Sequence, residues 1–197
     1  MNTHLQPEHK KVYIIHGHDA SPNDHWYPWL SRKLQNAGHL SKRIVLANAD
    51  QPNFDDWQKF LALQMPILDE NTIVIAHSLG CLTVLHYLNQ YFQQHNAKIK
   101  AGIFVSGFKA TLAVKPELNE FIKKARMDSG VLQIHMPIAI SFISSNDPIV
   151  PPPASIQLSS FINAQLYEVK DAGHFMAKDG FSEIPELWDI LHPLLSA

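Results

Sequence analysis

The sequence predicts one α/β domain in three layers: a mostly parallel six-stranded sheet, order 2-1-3-4-5-6, with helices on both faces. Three observations predict it. Six apolar, β-branched runs recur along the chain, and helical patterns fall between them. The 197 residues, 46% hydrophobic, suffice for one sizeable core and are too few for two comfortable domains.

The expected strands are KVYIIHG (11–17), KRIVLAN (42–48), TIVIAHS (72–78), AGIFVSG (101–107), PIAISFIS (137–144) and QLYEVKD (165–171). Such continuous apolar runs suit a parallel sheet covered on both faces. The expected helices span 23–38, 53–65, 80–92, 116–127, 152–162 and 182–195. Gly38 fits a C-cap of the first, and Pro185 delays the start of the last. The stretch from Phe108 to Met136 exceeds one simple crossover and is expected to form a small flap over one end of the sheet. Residues 1–10 are expected to be a flexible start to a single domain spanning 1–197.

Charge and composition narrow the function classes. A formal net charge of −2, from 16 basic and 18 acidic residues, leaves no footprint for nucleic acid and no polybasic face for a membrane. No run is apolar enough to span a bilayer, and MNTHLQPEHKK has no apolar signal core. Cys81 stands alone and cannot form an internal disulfide, which fits a reducing compartment. A cytoplasmic protein is the expectation.

The chemistry concentrates at Ala76-His77-Ser78-Leu79-Gly80, where an apolar strand meets an apolar helix. This is the strand–turn–helix nucleophile elbow G-x-S-x-G with alanine in place of the first glycine. Such a turn needs small residues beside the serine because neighbouring backbone packs close. It lifts the serine Oγ above the C-terminal edge of the sheet. It also aims the Leu79 N–H, at a helix N-terminus, at charge developing on a substrate oxygen. The simpler reading of Ser78 is a helix N-cap.

A serine hydroxyl needs a base, and the base needs an orienting acid. In α/β-hydrolases they follow in the order Ser, Asp or Glu, His. Asp147 lies just beyond the fifth strand and His174 just beyond the sixth. Alone, Asp147 reads as a turn former in Asp-Pro and His174 as one loop histidine of 12. Together with Ser78 they share one sheet edge in the required order. Asp171 is a second candidate acid, disfavoured because only three residues separate it from the imidazole. The loop after the first strand faces Ser78 in this strand order, so the His18 N–H is expected to complete the oxyanion hole with Leu79. His16 reads as a structural hydrogen-bonder, and Gly17 as a point of close approach or positive φ.

VYIIHG…HW, AHSLGCL, SSNDPIVP and AGHF together resemble the small lidless serine hydrolases of the α/β-hydrolase superfamily, from about Lys11 to His192. That family includes the retinoblastoma-binding serine hydrolase and bacterial relatives. The resemblance implies hydrolysis through a triad falling on Ser78, Asp147 and His174. The L-x-C-x-E partner motif of the human relative does not carry over. Here Leu79-Gly80-Cys81-Leu82-Thr83 lacks the glutamate and lies on a helix expected to be buried.

The expected substrate is a small soluble ester, with amides or thioesters as variants and acetate- to butyrate-sized acyl groups favoured. The alternative is a non-catalytic binding protein on the same fold. Trp26, Phe108 and Phe175 are candidate pocket walls, and Cys81, Trp29 and Trp57 read as core. His77 reads as a neighbour that packs or bonds backbone. No cofactor and no metal are expected: His16 and His18 are spaced like zinc ligands, but the Asp-His partners of that pattern are missing.

Overall fold

The computed structural model describes residues 9–196. Six strands form one sheet: β1 (Lys11–Ile15), β2 (Leu40–Ile44), β3 (Thr72–His77), β4 (Ala101–Val105), β5 (Ala139–Ser144) and β6 (Gln165–Val169). Their order is β2-β1-β3-β4-β5-β6, and every pairing is parallel. Among the described residues seven α-helices accompany them: α1 (Tyr27–Asn36), α2 (Phe54–Gln64), α3 (Leu79–His95), α4 (Asn119–Lys124), α5 (Ser129–His135), α6 (Pro152–Phe161) and α7 (Pro185–Ser196).

The period-2 alternation of a strand divides β3 between two cores. Val74 and Ala76 enter the cluster formed with α2, α3, α5 and α6. Ile73 and Ile75 enter the cluster formed with α1 and α7. Every residue of β3 is buried, so it forms the axis of the molecule, and its C-terminal end delivers Ser78.

Several boundaries differ from the sequence reading, for physical reasons. The second strand starts earlier and stops at Ile44 because β1, its only partner among the described residues, ends opposite at Ile15. Beyond it the Gln64 side chain bonds both backbone groups of Val45, replacing the ladder. The first helix starts at Tyr27, four residues late. Pro185 opens α7, the delay anticipated for it. Between β4 and β5 the sequence reading missed α5, capped by Asp128, whose carboxylate accepts from the Val131 N–H at 3.1 Å. Leu112, Leu118, Phe121, Ile122, Leu132 and Met136 anchor this whole connection in the core. Residues 1–8 of the expected flexible start lie outside the described residues. Lys10 is buried, with its ammonium 2.9 Å from Asn71 Oδ1.

Helix α3 approaches β1 so closely at Gly80 that a Cβ there would lie 2.3 Å from the His16 carbonyl oxygen. Since the obstacle is backbone, the chain has to shift to admit a methyl group. Gly80→Ala is therefore expected to destabilise the fold by about 1–3 kcal/mol, the usual cost of overpacking. Urea unfolding measures it, and unchanged stability would refute the close approach.

Candidate active site

The turn after β3 sets the geometry. Ser78 has φ 54° and ψ −126°, a conformation that L-residues rarely adopt. Its N–H donates to the Val105 carbonyl at 2.9 Å, tying the turn to the end of β4. Gly17 makes room for it, since a Cβ there would sit 3.0 Å from Ser78 Cβ. Asp19, His25, Ser106 and Phe175, in other loops around this site, also have positive φ.

The structure brings Ser78, His174 and Asp147 together. Ser78 Oγ lies 2.9 Å from His174 Nε2. His174 Nδ1 lies 2.8 Å and 3.0 Å from the two Asp147 oxygens. All three side chains are buried. An ionised carboxylate only accepts, so His174 Nδ1 carries the hydrogen and Nε2 is free to accept from the serine hydroxyl. Asp147 Oδ1 also accepts from the N–H groups of Ile149 and Val150, each at 2.9 Å. Its Oδ2 accepts from the Ser106 hydroxyl at 2.7 Å. Burial pushes the Asp147 carboxyl up, but the bonds from His174, Val150 and Ser106 outweigh it and hold the group below its ordinary value. Asp171 is exposed, with its N–H bonded to Ser145 Oγ at 2.9 Å.

Leu79 begins α3, so its N–H is one of the helix-terminal donors without an intrahelical acceptor. His18 lines the same cavity as Ser78, a space of about 180 Å³. A second cavity of about 430 Å³ shares His18 and Leu118 with it.

The family model for serine hydrolases matches residues 12–193. YdeN of Bacillus subtilis, a hydrolase by name, is 37% identical over 182 residues, covering 92% of this chain and 94% of that protein. The chain belongs to the serine hydrolase family. The YdeN crystal structure superposes with a TM-score of 0.88 at 36% identity, covering 95% of this chain and all of that one. The serine hydrolase RBBP9 of Rattus norvegicus is 24% identical over 173 residues, covering 86% of this chain and 88% of that protein. Est1E of Butyrivibrio proteoclasticus shares the fold, with a TM-score of 0.70 at 13% identity over 98% of this chain and 91% of its own. The family resemblance and the α/β-hydrolase fold read from the sequence both hold.

The pocket walls differ from the sequence reading. Phe108 lines the Ser78 cavity, together with Leu112, Leu118 and Ile149. Trp26 and Phe175 do not. Trp26 is fully buried with its ring against Tyr27 and His77, and Phe175 is fully buried against Phe181. In their place His25, Met176 and Lys178 border the cavity beside His174.

Other supports surround the relay. Asp179 Oδ2 accepts from the His174 N–H at 3.0 Å, and Asn146 Oδ1 accepts from the Gly173 N–H at 2.8 Å. His77 bonds Tyr27 and the His174 backbone. The His77 bond to backbone is the role its sequence reading expected, and Asn146 stood out as a short polar residue just past β5, whereas Tyr27 and Asp179 carried no signal.

His16 is engaged at both ring nitrogens, Nδ1 with the Gly17 carbonyl and Nε2 with the Leu46 N–H. Among the described residues no three His, Cys, Asp or Glu side chains converge as a metal-binding group, and no helix is long and apolar enough to cross a membrane. Cys81 is buried, and burial pushes its thiol far up. It and its neighbours from Leu79 to Thr83 on α3 are all buried.

A carboxyl held below its ordinary value stabilises the fold at pH values above that ordinary value, and the contribution is lost as pH falls through the depressed one. For Asp147 this loss falls below about pH 4, where an unperturbed carboxyl protonates. The wild-type chain is therefore expected to lose stability on acidification more steeply than Asp147→Asn. Denaturant midpoints between about pH 5 and 2.5 compare the two, and parallel slopes would contradict it.

Proposed function

We propose that the chain hydrolyses small soluble esters through an acyl-enzyme on Ser78. The observation that carries this reading is the continuous relay Ser78 Oγ–His174–Asp147 at 2.9 Å and 2.8 Å, ending in a carboxylate with three further donors. Family membership gives the reaction class, and the geometry supports the roles.

The steps follow from the positions. Ser78 Oγ attacks the ester carbonyl carbon while its proton passes to His174 Nε2. The carbonyl π bond becomes an oxyanion, held by the N–H groups of Leu79 and His18. Asp147 keeps the imidazole in the Nδ1–H tautomer and stabilises the imidazolium. Collapse breaks the bond to the alkoxy oxygen, which takes the proton from Nε2 and leaves as alcohol. A water then gives its proton to Nε2 and attacks the acyl-enzyme, which releases the acid and restores Ser78.

The cavity of about 180 Å³ at Ser78 supports the expectation of short acyl groups. An amine leaves less readily than an alcohol, so amides are expected to be slower.

Ser78→Ala is expected to abolish both fluorophosphonate labelling and nitrophenyl acetate hydrolysis with the fold intact. Asp147→Asn favours the wrong imidazole tautomer and is expected to lower kcat by up to about 10⁴-fold, whereas Asp171→Asn is expected to leave it unaltered. Undiminished turnover in Ser78→Ala would reject the mechanism. Failure of the folded wild-type chain to label would favour the binding-protein alternative.

A further inference from the structure

Behind the reacting serine lies a second histidine with its own relay. His77 immediately precedes Ser78 and is buried under the base, its ring 4.9 Å from that of His174. His77 Nε2 lies 2.8 Å from the main-chain oxygen of His174. His77 Nδ1 lies 2.6 Å from the Tyr27 hydroxyl.

The partners determine the hydrogens. A carbonyl oxygen only accepts, so His77 Nε2 carries N–H and donates to it. In a neutral ring Nδ1 is then an acceptor, and the Tyr27 O–H is its donor. The ring is held neutral: burial, followed by His174 and His25, sets His77 well below its ordinary value, and burial raises Tyr27 well above its own. Neutrality matters at this spot, because a charged His77 would oppose the positive charge that His174 gains when it takes the serine proton.

The relay links three separate parts of the chain. Tyr27 is the first residue of α1, His77 ends β3, and His174 sits in the loop after β6. Asp147 grips the imidazole of His174 and Asp179 its N–H, which leaves its carbonyl to His77. That third grip sets the position of the main chain from which the base projects.

Building on the hydrolase reading above, we propose that His77 and Tyr27 are positioning residues: His77 donates from Nε2 to pin the His174 carbonyl, and the Tyr27 hydroxyl, bonded to Nδ1, fixes the His77 ring in that orientation and so holds the base on Ser78. Neither residue exchanges a proton with substrate. Their effect is on alignment, and small misplacements of a reacting group cost large rate factors.

Two amides separate this role from simple packing. The Gln side-chain nitrogen reaches the place of Nε2, whereas the Asn amide reaches only the place of Nδ1. His77→Asn is expected to lower kcat by about 10- to 100-fold with KM within about twofold. His77→Gln is expected to recover most of that loss. Thermal melting of both checks that the fold is retained. Tyr27→Phe should give an intermediate loss in kcat. In ring ¹⁵N spectra of catalytically inactive Ser78→Ala, His77 is expected in the Nε2–H form, and adding Tyr27→Phe should remove the hydrogen-bond shift at Nδ1 while leaving that tautomer in place.

With the wild type active, equal losses in folded Asn and Gln variants would overturn the proposal, as would no loss in either. An Nδ1–H tautomer in the spectra would overturn it independently of activity. A folded wild type that neither labels nor hydrolyses esters would instead remove the parent reading, which separates the two failures.

Discussion

The backbone turn at Ser78 is the constraint on which the rest of the structure depends. Its positive φ costs about 1–3 kcal/mol in isolation and persists only where the surroundings over-determine it. They do so from every side. The serine N–H is tied to Val105, Gly17 vacates the space beside its Cβ, and Gly80 lets α3 lie against the His16 carbonyl. The last contact sets the helix against the end of β1, so backbone contact places the elbow beside the loop carrying His18.

The partners of the serine are held by a different device. Asp147 and His174 sit on loops that follow neighbouring strands β5 and β6, which pair in register through Ser144 and Val169. The loops are stitched together by short polar side chains. Asn146 bonds the Gly173 N–H, Ser145 the Asp171 N–H, and Asp179 the His174 N–H. Ser106, just past β4, bonds the Asp147 carboxylate. Each bond joins two segments distant in sequence or closes one loop on itself. The reactive groups are therefore placed by rigid strand ends and aligned by a local polar network, which suits chemistry sensitive to small displacements.

The connection between β4 and β5 shapes the space above the serine. It carries α4 and α5 and seats seven apolar side chains in the core, three of which, Phe108, Leu112 and Leu118, also line the Ser78 cavity. The same segment closes the adjoining cavity against the residues that lead into α2. Substrate space is thus built between distant parts of the chain, over polar groups on the turn and loops that follow the strand ends.

What the sequence determined by itself was everything local or periodic. Continuous apolar runs mark β3, β4 and β5 because both faces of the sheet are buried there, whereas the edge strands β2 and β6 are largely exposed; the β-α-β alternation marks one doubly wound domain. The strand–turn–serine–glycine–helix pattern located Ser78, and chain order with strand position located Asp147 and His174, because parallel strands deliver their following loops to one edge. Tertiary structure alone decided which way the side chains in those loops face. Phe175 follows His174 directly, yet its positive φ accompanies a ring packed on Phe181 while the imidazole faces Ser78. Trp26 lies near the site in sequence but is sealed beneath Tyr27 and His77. Ser106, Tyr27 and Asp179 carry no motif, since a hydroxyl or carboxylate acquires its role only when folding brings a distant donor or acceptor within hydrogen-bond reach.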